Sequence, residues 1–246
     1  MTNTQWQAFC AYRDQLKALC DSWSSFAGEL APLQRQAAEK DTPAYPLETA
    51  VVYNSAYDEL TPQDEIKLIV IGDNPGKEEQ LASKRRYLVG QSGRVAEGFF
   101  RRNQELGIDF RRNVIIMNKT PVHTAKTAHL RFLLANGSEG IKNLILQSQL
   151  TMAELAATLH QKLGSAELWL VGYAELKGKG IFLPYRDKLK EAYAKNPESW
   201  QRVCVYQHFS MNCFLIDLKK HRMEGEGLAV ALHRIGSEHR KDIFGS

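Results

Sequence analysis

Three short polar segments hold the side chains best suited to chemistry, and each closes an apolar run. They are Gly72-Asp73-Asn74-Pro75-Gly76, Asn118-Lys119-Thr120-Pro121 and Gln207-His208-Phe209-Ser210. An asparagine amide can accept and donate at once, which suits it to hold a water or read a ring edge. An imidazole N–H at His208 can steady negative charge that develops on a departing group. Asp73 offers a carboxylate beside Asn74, although Asp, Asn, Pro and Gly also form turns for purely conformational reasons. A second glycine-bearing turn, Val89-Gly90-Gln91-Ser92-Gly93, opens a helix with Val95, Phe99 and Phe100 on its inner face. No G-x-G-x-x-G follows the first apolar run and no G-x-x-x-x-G-K-[ST] occurs, so dinucleotide and P-loop sites lack their signatures.

The elements that must position these segments follow from periodicity. Ile66–Ile71, Asn113–Asn118, Leu168–Val171 and Arg202–Tyr206 are short, continuous apolar or β-branched runs, the pattern of strands buried on both faces. Trp6 to about Lys40 has helical spacing with a Ser-rich break, and residues 43–57 read as extended or loop. Further helices are expected over Ala128–Leu134, over Gly140–Leu163 (one, or two joined near Ser148), over Pro184–Asn196 and at the C-terminus. Strands that alternate with helices predict an α/β fold, a three-layer α/β/α sandwich with a four-stranded, mainly parallel central sheet. Right-handed crossovers then place all four strand ends on one side, which brings Asn74, Asn118, Tyr173 and His208 towards one cleft. The expectation is a single domain over residues 1–246, with residues 1–45 as a helical extension packed on it.

Composition sets the bounds. The 246 residues are 43% hydrophobic and 24% charged, ordinary for a globular chain with a real core. No apolar run approaches the ~20 residues of a membrane span, and no secretory signal pattern opens the chain, so no membrane partner is expected. Cys10, Cys20, Cys204 and Cys213 form no C-x-x-C pair; a reduced cytoplasmic setting is expected, with no metal and no cofactor. The formal charge of +4 is only mildly basic, but it clusters at Lys84-Arg85-Arg86, Arg101-Arg102, Arg111-Arg112 and Lys219-Lys220-His221-Arg222.

Taken together in chain order, these segments resemble the uracil-DNA glycosylase superfamily over roughly residues 50 to 215. Gly72-Asp73-Asn74-Pro75-Gly76 is similar to the G-x-N-P-G water-site motif of the mismatch-specific and single-strand-selective branches. Val51-Val52-Tyr53-Asn54 resembles the segment that precedes it. Tyr87-Leu88-Val89-Gly90-Gln91-Ser92-Gly93 resembles the P-F-V-G-x-[AS]-G loop of the thermostable branch. Asn118-Lys119-Thr120-Pro121 is similar to the strand end that carries the base-reading asparagine, Gly172-Tyr173-Ala174 to a G-x-x-A strand end, and His208-Phe209-Ser210 to H-P-S. The chain departs from the family at Leu88, where a stacking phenylalanine is usual, at Phe209, in place of proline, and at Met211-Asn212, in place of the wedge. Its cysteines do not match the cluster-binding positions of the thermostable branch, and Asn113 could be matched in place of Asn118.

The resemblance implies hydrolysis of the N-glycosidic bond of uracil or a related base in DNA, by a monofunctional enzyme acting as a monomer. Asn74 would hold the attacking water, His208 would donate to the base oxygen, and Asp73 would be a fallback base, with turn-making or solvent exposure its commoner fate. Asn118 would read the base and Tyr87 or Leu88 would face it, with Gly72, Pro75, Gly76 and Ser210 completing the pocket. Lys84, Arg85, Arg86, Ser92 and Gly93 would meet the DNA backbone, and Met211 would wedge into the base stack. Two other readings fit the same elements: a member of the fold that binds nucleic acid or a free base without cutting, and a nucleotide or small-molecule enzyme of the doubly wound class.

Overall fold

Residues 1–245 are described in a computed structural model of the chain. The four apolar runs form β1 (Leu68–Gly72), β2 (Val114–Asn118), β3 (Glu167–Val171) and β4 (Val203–Tyr206). Every pairing is parallel and the order is β2-β1-β3-β4. Alternate residues face two separate cores. Ile69, Ile71, Met117, Leu170 and Val205 point into one, and Val70, Ile116, Trp169 and Tyr206 into the other. A sheet covered on both sides needs apolar side chains at consecutive positions, which explains the unbroken runs.

The first core is closed by helices α1 (Asn3–Trp23), α2 (Ala27–Ala38), α4 (His129–Asn136), α5 (Glu139–Leu163) and α6 (Leu183–Ala192). α1 starts at a reciprocal cap between Thr2 and Gln5, and a 3₁₀ turn over Ser24–Phe26 separates it from α2. Phe9, Leu16 and Leu30 are wholly buried in the same core as the strands. α5 is a single helix. Ser148 does not break it, because its hydroxyl bonds Ile145 O within the helix and Thr120 Oγ1 beneath it.

The second core is closed by α3 (Gln91–Arg102), α8 (Cys213–His221) and α9 (Leu228–Phe244). The helix expected over Pro184–Asn196 is shorter. It stops at Ala192, and α7 (Pro197–Gln201) starts afresh where Asn196 caps Ser199 N. The residue before a proline is disfavoured in helical geometry, which splits the segment. Among the described residues no helix is long and apolar enough to cross a membrane.

The strand order reverses at β1, which has β2 on one side and β3 on the other. In such sheets ligands bind beyond the carboxyl ends of the strands at that reversal. All three polar segments singled out in the sequence emerge there.

Candidate functional site

A cleft of about 650 Å³ opens at the carboxyl edge, and Asp73, Asn74, Asn118, Gly172 and His208 line it from the ends of all four strands. Gly76, Leu88, Ser92, Ser210 and Met211 complete its rim and walls.

Asn74 is oriented by the loop that follows β2. Its Nδ2 donates to Thr124 Oγ1 at 2.8 Å and more weakly to the carbonyls of Pro75 and Val122. With the nitrogen so committed, Oδ1 is the atom left to accept from a water in the cleft. The turn is locked from behind: His123 Nδ1 lies 2.8 Å from Pro75 O, and Tyr45 meets the other ring nitrogen. Burial pulls the His123 pKa down to about 4, so the ring is neutral and Nδ1 donates to the carbonyl.

His208 is fixed by its own near neighbours. The Ser210 backbone N–H donates to Nδ1 at 3.0 Å, and the Ser210 hydroxyl lies 2.7 Å from the same nitrogen. A nitrogen that accepts a backbone N–H carries no proton, so the neutral ring is protonated on Nε2. Desolvation lowers the His208 pKa, with Asp73 pulling the other way and Lys119 reinforcing the drop. The product is a neutral Nε2–H donor. Ser210 therefore orients the histidine, and its hydroxyl is committed to that ring. Phe209, between them, is fully buried against Phe214.

Asn118 closes β2 and is 2% exposed, and its Nδ2 is buried without any hydrogen-bond partner. A buried amide hydrogen left unmatched costs about 1–3 kcal/mol, so the site is built at a loss that a ligand acceptor can recover. Gly72 makes room for it: a Cβ there would sit 2.6 Å from Asn118 Oδ1. Asn113, the other candidate, lies at the opposite end of β2, where its side chain bonds Glu65 O and Asp109 N.

Asp73 is neither a solvent-exposed turn residue nor a free base. It is 6% exposed, and Oδ1 lies 2.6 Å from the Nζ of Lys119, which is wholly buried. Lys119 also donates to Val171 O at 2.5 Å and Gly72 O at 3.4 Å, so all three ammonium protons have acceptors. Burial presses the lysine pKa down and Asp73 opposes this; the matched acceptors keep it charged. Lys119 went unrecognised in the sequence.

So did Glu79, which lines the cleft at 7% exposure. Its Oε2 accepts from Gly76 N at 3.0 Å, and desolvation raises its pKa to about 7 despite the backbone bonds from Gly76 and Leu88.

No protein-family model and no curated protein matches the chain.

Tyr87 does not line this cleft. It is 1% exposed, and its hydroxyl donates to Val52 O within the second core. The apolar wall is Leu88, held at φ 50°. Gly93 allows this turn, since a Cβ there would lie 1.6 Å from Leu88 O. Pro75 and Gly93 support the cleft without lining it. Lys84 and Arg86 lie away from the cleft lining and pair with Glu78 and Glu59, while the exposed Arg85 turns its carbonyl to Ser55. Met211 stands 81% exposed on the rim, and both it and Asn212 adopt left-handed backbone conformations.

Proposed function

We propose that this chain is a DNA glycosylase that hydrolyses the N-glycosidic bond of uracil or a related base during base excision repair. The observation that carries this reading is the unmatched, buried Nδ2 of Asn118 in the same cleft as the Nε2–H of His208. A flipped uracil offers O4 to Asn118 Nδ2 and N3–H to its Oδ1, whereas cytosine presents the reverse pattern. As the glycosidic bond lengthens, negative charge gathers on the base. His208 Nε2–H is preorganised to meet that charge at O2. Asn74 Oδ1 accepts from a water that adds to the sugar carbon, and the water's proton passes to solvent. Met211 on the rim suits a wedge, and the first turn of α3 at Ser92 offers unpaired N–H groups to a phosphate. Four free thiols fit a cytoplasmic setting, and a monomer suffices for a cleft built within one chain.

A second reading has one specific observation behind it. Among the described lining residues there is no phenylalanine, tyrosine or tryptophan to stack on a base, only Leu88 and the His208 ring. Such a cleft could hold a base without cleaving it. Base release from uracil-containing single and double strands separates the two. Catalysis is expected from the wild type, with a loss of about 10²-fold or more in His208→Ala and Asn74→Ala that still fold. Binding of the same strands with no release by wild type supports the binding-only reading.

A further inference from the structure

We propose that Asp217, His221 and His239 form a binding site for a divalent transition ion, zinc by its donor set, that clasps α8 to α9 at the end of β4. Asp217 and His221 are one turn apart on α8 and share a face, and His239 approaches from α9. One ligand atom from each lies within 4.8 Å of the others.

The protonation pattern argues for an ion between them. His239 Nδ1 lies 3.2 Å from Val205 O, which can only accept, so Nδ1 carries the proton and Nε2 presents a lone pair. That lone pair faces Asp217 Oδ2 across 3.7 Å. Two acceptors turned on each other are reconciled by a group between or beside them: a shared proton, a bridging water or a metal. A shared proton would draw the pair to about 2.7–2.9 Å. Ligands at 2.0–2.1 Å around a tetrahedral ion stand about 3.3 Å apart, much nearer the observed spacing. His221 Nδ1 likewise lies 3.0 Å from a carbonyl, that of Asp217, so it carries the proton and Nε2 is the lone-pair atom on this ring too.

The surroundings hold the rings as a metal site does. The Val205 carbonyl fixes the His239 tautomer, and the Tyr173 ring packs on the imidazole at 4.8 Å. The Asp217 and His239 side chains are 14% and 15% exposed, and His221 is 39% exposed, so a water can complete the shell from that side. Two imidazoles and one carboxylate suit zinc, nickel, cobalt or copper; magnesium and calcium prefer oxygen. No motif announces this cluster, because His221 and His239 lie on different helices and no short spacing unites them.

Titrating zinc chloride into chelator-treated full-length protein tests this, with the visible spectrum of added cobalt(II) as a second readout. One ion per chain is expected, with a cobalt spectrum that zinc abolishes. His221→Ala, at an exposed position that leaves the core intact, should weaken binding about tenfold or more. Asp217→Asn should do the same if it folds. No saturable binding, or affinity unchanged in His221→Ala, overturns the site. So does a thiolate charge-transfer band, which would put the ion at Cys204, 3.9 Å from His233.

Discussion

Glu79 shows how a single side chain can tie the cleft to pH. Its carboxyl holds a proton up to about pH 7, because burial opposes the charge more than the two backbone bonds favour it. The unfolded chain gives that proton up near pH 4.3. Between those values the folded protein binds the extra proton, so stability falls as pH rises through the window, by at most about 1.4 kcal/mol per unit. Glu79→Gln keeps an acceptor for Gly76 N–H and removes the titration. It should melt with the wild type near pH 5 and above it at pH 8, by calorimetry at both values. If the reading of the cleft is right, Asn118→Ala should cut release of uracil from DNA, removing the donor to O4 and the acceptor for N3–H; unaltered release would sink that role. Asn74, Asn118 and His208 were legible from residue type and place at strand ends. Glu79 was not, since it sits in a Lys-Glu-Glu-Gln run that reads as solvent-facing, and nothing local announces that one of two adjacent glutamates turns inward.

The strands and their joints come next. Lys119 ties together the ends of β1, β2 and β3 through Asp73, Gly72 O and Val171 O. Lys119→Met would leave Asp73 buried and unpaired, and a loss of about 3–5 kcal/mol is expected in urea unfolding. The same measurement should find Gly93→Ala destabilised by about 1–3 kcal/mol or more, because its Cβ would collide with Leu88 O and unseat the start of α3. Four continuous apolar runs announced the sheet, as the physics of a doubly covered strand requires. The burial of a lysine could not be read from a polar tetrapeptide, since the ammonium is tolerable only beside partners from distant segments. Tyr87 went astray for a related reason: an aromatic beside a glycine turn reads equally as a ligand face or as core, and only the packing against Val52 decides.

At the scale of the molecule, two buried histidines govern acid tolerance, one behind the Asn74 turn and one on α5. Burial pulls both His123 and His160 to about 4, and both hydrogen-bond as neutral rings, His160 between Tyr193 and Ala166 O. Their unfolded value is near 6.5, so the stability they contribute is present above that pH and lost as pH falls towards 4. The loss should reach up to about 3 kcal/mol for each at pH 4. His160→Gln should flatten the acid limb of a melting curve measured from pH 7 to 4. The three layers and the convergence of strand ends were readable from alternation and crossover handedness. The pairing of α8 with α9 was not, because helical period fixes which face is buried but not against which neighbour.

The reversal of strand order at β1 has one more consequence. Asn74, Asn118 and His208 stand at the ends of β1, β2 and β4, so no fragment that lacks β4 can hold a ligand in this way. During synthesis the recess would stay unfinished until the final strand docks. Competence would then arrive late and in one step, leaving no half-built intermediate able to engage its target.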